Sequence, residues 1–266
     1  MAVIALASFS GAPGVTTTAL ALTFAWHRPA ILVEADTAKT SSVLLGYLRG
    51  QQPHAKGMTQ LAIAQQNGTL TADEISEQRI PLTEERDVIL GFTNVSAGQG
   101  MNSLWGSLGT VLSTLDSAGT DVIVDLGRLA ARDPRIPLLQ IADSVLLVMH
   151  PSLPDIFATA AAASELREQL AAAGHGEYLD LLLVDTPFET WNRAEVSKHL
   201  RAEVAAEIKH DPRAAATFSI GLEPPKKFLS SGYIRSIRAA QATITQRIAR
   251  RREHLGACPS QQESEA

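Results

Sequence analysis

Short apolar runs recur along the chain, each closed by polar or acidic residues. Residues 2–9 form the first and run into Ser10-Gly11-Ala12-Pro13-Gly14. Residues 16–26 (TTTALALTFAW) suit a buried helix, and residues 30–36 (AILVEAD) form a second apolar run that ends in acids. Strand, Gly-rich turn, helix and strand in that order make a βαβ unit, with a right-handed crossover and parallel strands expected. Further strands are predicted at 87–92, 121–127, 143–150, 179–185 and 206–211. Helices are predicted at 103–118, 156–173, 193–206 and 232–255, and residues 40–80 read as helices separated by polar turns.

Fully apolar strands alternating with helices imply an α/β fold: a mostly parallel sheet of about seven strands with helices on both faces. One domain is expected over residues 1–255, followed by a polar, disordered tail over 256–266. Ligands of such sheets bind beyond the carboxyl ends of the strands. That rule brings residues 10–18, 34–37, 125–128, 150–152 and 185–188 to one edge.

Composition narrows the picture further. A net charge of −5 argues against a protein that coats nucleic acid over its whole surface, while a local basic patch stays open. The lone cysteine, Cys258, cannot form an internal disulfide, and a cytoplasmic protein is expected. No apolar run reaches the roughly 18 residues of a membrane span. The N-terminal run has no basic segment before it and breaks at once into Gly and Pro, so it reads as a strand, not a signal peptide. The seven histidines show no metal-ligand spacing, and no serine sits in a G-x-S-x-G elbow.

The first turn carries the most chemistry. A P-loop reads G-x-x-x-x-G-K-[ST]. Here the stretch is Gly11-Ala12-Pro13-Gly14-Val15-Thr16-Thr17-Thr18, with Thr16 in place of the second glycine and Thr17 in place of the lysine. Backbone N–H groups of such a turn form an anion-binding nest, and the helix N-terminus behind it adds partial positive charge. Neither needs the lysine. Thr18 still offers a hydroxyl to Mg²⁺. The ammonium that offsets phosphate charge in phosphoryl transfer is missing, so hydrolysis is expected to be weak or absent. The Cβ of Thr16 is expected to reshape the nest.

The loop, the strand after it and the later strands together resemble the ParA/MinD family of P-loop ATPases, in the branch of MinD-like and TadZ/CpaE-like proteins. The resemblance spans about residues 2–250. The family's signature lysine corresponds to Ala12, so GAPGVTTTALAL is similar to a degenerate form of its loop. ILVEADT matches the family's acidic strand end, where Asp36 would help hold the attacking water and Mg²⁺. DVIVDLG matches the Walker B strand, with Asp125 as the Mg²⁺ acid. ADSVLLVMHPS matches a further family strand. KHDPRAAATF is similar to a late stretch near the adenine, with Asp211 as its acid, although His210 departs from the usual spacing. Asp185 and Thr186 end the strand where the family reads the purine.

The resemblance implies a P-loop NTPase fold of the SIMIBI type, with ATP and Mg²⁺ bound by Gly11, Ala12, Pro13, Gly14, Val15, Thr16, Thr17, Thr18, Asp125, Asp185, Thr186 and Asp211. It implies an ATP-responsive positioning switch in chromosome partitioning or cell division, acting as a homodimer with a protein partner. The alternative is a pseudo-ATPase scaffold that works only through protein contacts. Glu34 is open between a second site acid and a paired buried carboxylate. The last helix carries Arg235, Arg238, Arg247, Arg250, Arg251 and Arg252. Its apolar face is thin after Ile248, which favours a solvated helix end over a membrane-binding one. With Lys226 and Lys227 these arginines leave a DNA-binding patch open.

Overall fold

The computed structural model describes residues 2–11, 13–115, 119–130, 132–188 and 191–256. Ala12 of the loop and the tail from residue 257 onward, Cys258 included, lie outside the described residues. The first unit runs β1 (Val3–Ser8), α1 (Val15–Ala25), β2 (Ala30–Glu34). A wide π-type turn (Val43–Tyr47) leads to α2 (Met58–Gln66) and α3 (Ala72–Glu77). There follow β3 (Ile80–Thr83), β4 (Arg86–Ile89), α4 (Val95–Gln99), α5 (Leu104–Thr114) and β5 (Asp121–Arg128). The second half runs α6 (Ile136–Gln140), β6 (Ser144–Met149), α7 (Leu153–Ala172), β7 (Leu179–Val184), α8 (Arg193–Leu200), β8 (Val204–Ile208), α9 (Pro212–Ser219) and α10 (Gly232–Gly256).

Eight strands form one sheet in the order β3-β4-β2-β5-β1-β6-β7-β8, and every pair is parallel except β3 with β4. The apolar runs are continuous because both faces of the sheet are covered. In β1, Val3, Ala5 and Ala7 face a core built with α2, α3 and α5 to α8. Ile4 and Leu6, between them, face a second core built with α1, α9 and α10. β5 and β6 divide in the same way, so no position along them faces water except Arg128 at the end of β5, as expected of central parallel strands.

The sheet has one strand more than the sequence reading gave. β3 pairs antiparallel with β4 across the two-residue connection Glu84-Glu85. Neither glutamate adopts the positive φ that marks the common two-residue hairpins. Pro81 sits on the edge strand, where its missing N–H costs no central ladder bond. The helix predicted over 193–206 stops at Leu200, because Arg201 turns left-handed and its N–H bonds to the Ser197 carbonyl. The strand read at 206–211 is therefore β8, and Asp211 lies beyond its end.

Chain direction reverses around β1. The path goes out through β2 and β4 on one side, returns to β5 between β2 and β1, and leaves through β6 to β8 on the other. Such a reversal leaves a crevice at the carboxyl edge of the strands. The loops after β1, β2 and β5 meet there. Among the described residues, no helix is long and apolar enough to cross a membrane.

Candidate functional site

The loop after β1 is held at its base and open at its mouth. Ser8 and Ser10 are buried, Ser10 N–H donates to Ser8 Oγ at 3.1 Å, and Leu129 N–H donates to the Ser8 carbonyl at 2.8 Å. Gly14 takes φ +87°, the left-handed conformation that turns the chain into α1. It stands at the helix N-cap, so no side chain caps α1 and no acid lies in its first turn. A Cβ built on Gly11 or Gly14 would meet no atom within 4 Å. The loop thus presents free helix N–H groups to open space, the arrangement that binds anions.

Three acids stand on and just after the adjoining strands β2 and β5. Glu34 and Asp125 are register partners on β2 and β5, and Asp36 follows two residues on. Asp125 is fully buried. Its Oδ1 accepts from Gly127 N–H at 2.9 Å, and its Oδ2 is buried with no hydrogen-bond partner. Burial pushes its carboxyl up to about 6, against the pull of Lys39 and the nearby Thr16 hydroxyl, with Glu34 and Asp36 adding to the rise. The Thr16 hydroxyl softens this shift without reaching hydrogen-bonding geometry to Oδ2. Asp36 Oδ1 accepts from Ala38 N–H at 2.9 Å, and its Oδ2 lies 3.4 Å from Lys39 Nζ.

Lys39 is the residue that the sequence reading missed. Its ammonium donates to Thr16 Oγ1 at 3.0 Å while pairing with Asp36. It therefore brings a positive charge to the phosphate loop from the segment after β2. The loop pattern could not reveal it, because 23 residues separate it from Thr16.

Glu34 is a structural carboxylate and not a second site acid. It accepts from the Ser41 hydroxyl and from the N–H groups of Ser42 (2.9 Å), Val43 (2.9 Å) and Gly91 (3.0 Å). Burial pushes it above the usual carboxylate range, and those four donors oppose the rise. It ties the π-type turn to the end of β4.

Gly127 sets the distance between β5 and Asp36. It has φ +57°, and a Cβ there would fall inside the Asp36 carboxylate and lie 3.0 Å from the Asp36 Cβ. Gly127→Ala is expected to cost about 1–3 kcal/mol and to push Asp36 away from Lys39. Gly11→Ala, with open space around it, is the near-neutral control. Urea midpoints check this, and a Gly127→Ala protein as stable as the native chain would refute the packing argument.

The residues assigned to the base lie farther along the same edge. Asp185 ends β7, where it bonds the Thr186 N–H at 3.0 Å and meets Lys209 at 3.5 Å. Thr186 Oγ1 accepts from Phe188 N–H at 3.3 Å. Asp211 is the N-cap of α9, accepting from Ala214 N–H at 2.9 Å. Two strands, β6 and β7, separate β8 from β1 in the sheet order, so these residues form a second cluster and do not join the Asp36–Asp125 group. Helix α10 offers less free charge than its sequence suggests. Arg247 and Arg251 both bind the buried Asp180, Arg247 also binds Glu203, and Arg252 binds Asp143. Arg235, Arg238 and Arg250 stay exposed.

The residues present fit a magnesium–nucleotide complex. An orphaned carboxylate oxygen faces an uncapped helix N-terminus, beside the buried Thr18 of its first turn. Among the described residues no group of three His, Cys, Asp or Glu forms a metal cluster. Mg²⁺ held by one or two carboxylates and substrate phosphates does not need one.

No protein-family model and no curated protein matches the chain. Solved structures do. A ParA family ATPase from Chlorobium tepidum TLS superposes with a TM-score of 0.70 at 14% identity, covering 91% of this chain and 97% of that one. The septum site-determining protein MinD from Pyrococcus horikoshii OT3, complexed with Mg-ADP, gives 0.68 at 14%, covering 90% and 94%. The MinC:MinD cell division complex of Aquifex aeolicus gives 0.67 at 15%, covering both chains completely. Over its whole sheet, then, this chain is similar to those proteins, and it has the ParA/MinD-like P-loop fold.

Proposed function

We propose that the chain is an ATP-responsive positioning or partitioning switch whose hydrolysis is weak or absent. The observation that carries this reading is the buried, unpartnered Oδ2 of Asp125 beside the open, uncapped phosphate loop. Residues 11–18 would cradle the phosphates, Thr18 and Asp125 would hold Mg²⁺, and Asp36 would orient water. Asp185, Thr186 and Asp211 would line the base side. When bound, Mg²⁺ would neutralise phosphate charge. Thr17, half-buried where P-loops carry lysine, supports slow chemistry. The Mg-ADP and MinC partner of the structural neighbours support a nucleotide-controlled protein contact; that a homodimer makes it rests on the family resemblance.

Thermal unfolding with millimolar ATP and Mg²⁺ tests this. Ligand at 100 times its Kd adds about 2.7 kcal/mol, roughly 5–10 °C for a chain of this size. Gly11→Asp sets a carboxylate in the anion cradle without a steric clash, and is expected to abolish that rise. No rise in the native protein would sink the switch and leave the scaffold reading. An equal rise in Gly11→Asp would move the site elsewhere.

A further inference from the structure

We infer that Lys39, carried on the loop after β2, takes over the phosphate-binding role of the lysine that the loop itself lacks. The inference rests on the nucleotide reading above. Its ground is geometric. Both loop positions where the resemblance places a lysine are uncharged, Ala12 and Thr17. Yet an ammonium stands 3.0 Å from Thr16 Oγ1, on the first turn of the helix whose N-terminus would meet the anion. The side chain is 44% exposed, so it can turn toward a ligand.

What holds Lys39 without ligand is weak. Its ion pair with Asp36 is long, at 3.4 Å, and open to water on the lysine side. A long pair with one exposed partner adds little stability. A polyphosphate presents several anionic oxygens near a helix N-terminus, and the ammonium gains more there than from one carboxylate. Thr16 has a part in this. Where a P-loop has glycine, its hydroxyl gives the incoming lysine a docking point, so the Thr16 and Thr17 departures and Lys39 read as one arrangement. Moving the lysine also exposes the Asp36 carboxylate, so ligand binding and release of Asp36 are a single event.

The experiment measures binding of Mg-ATP and of inorganic tripolyphosphate by calorimetry in the native protein, Lys39→Gln and Lys39→Arg. Tripolyphosphate isolates the phosphate contacts from the base. Lys39→Gln is expected to weaken both ligands about tenfold, which is about 1.4 kcal/mol. Lys39→Arg is expected to keep most of the affinity. Adding Thr17→Lys to Lys39→Gln is expected to restore it, because the charge then returns at the loop. Equal affinity of Lys39→Gln and the native protein overturns the role of Lys39 and leaves the site reading intact. Failure of the native protein to bind either ligand overturns both.

Discussion

Asp133→Ala is expected to destabilise the protein by about 3–5 kcal/mol, a fall in melting temperature of roughly 10 °C for a chain of this size. Arg135 is almost fully buried, and its guanidinium is shared between one carboxylate and three carbonyls. Asp133 Oδ1 accepts from its Nε at 2.7 Å, and Oδ2 from its Nη2 at 2.6 Å. The remaining donors reach the carbonyls of Ala35, Leu126 and Arg128. One side chain therefore fastens the ends of β2 and β5, the two strands that carry Asp36 and Asp125. Removing the carboxylate leaves a buried cation without its counter-charge, which costs far more than the pair itself is worth. Burial alone would raise the Asp133 carboxyl. The hydrogen bonds and charge of Arg135, with the Ala130 N–H, outweigh burial and leave it below the usual range. Its stabilisation is therefore present above the ordinary value of 3.8 and is lost as pH falls through the lowered one. Urea titration at neutral pH and at pH 3 checks both parts. A loss under about 1 kcal/mol would mean that water reaches Arg135.

How much of this was legible in the sequence depends on the scale of the feature. The alternation of strands and helices was readable because parallel strands covered on both faces are apolar almost throughout, as in β1 and β6, where only the terminal Ser8 and Ser144 are polar. The hairpin of β3 and β4 was hidden, since Glu84-Glu85 has none of the usual turn residues and Pro81 argues against a strand. The positions of Asp36 and Asp125 were readable from strand ends. Their surroundings were not. Asp133-Pro134-Arg135 carries no local mark of burial, and only the packing of the loops after β2 and β5 buries its charged pair. Lys39 sits in a polar segment with no local mark, and a search for lysine inside the loop passes over it. Glu34 was open between two roles until the four donors around it settled one.

Asp125→Asn is expected to stabilise the metal-free protein at pH 7 by about 3 kcal/mol while removing any Mg²⁺-dependent response. The carboxyl rises from an ordinary value of 3.8 to about 6, chiefly through burial. A raised value means that the folded chain holds the proton more tightly than the unfolded one. The group's favourable contribution is thus complete below 3.8 and is lost as pH rises to about 6, above which the folded state carries the full cost of a buried charge. Asparagine removes that cost. Its oxygen can keep the Gly127 N–H bond, and its amide can donate toward Thr16, so the turn after β5 stays intact. Denaturation of both proteins between pH 4 and 7, with a chelator present, should show the stability difference growing across that window and levelling off above it. Parallel curves would mean that Asp125 is charged at no cost, with a donor on its Oδ2 after all. A cost carried in the empty site and relieved by a cation is what a metal ligand requires. The instability of Asp125 without metal and its proposed Mg²⁺ binding thus have one cause, the missing partner of a single buried oxygen.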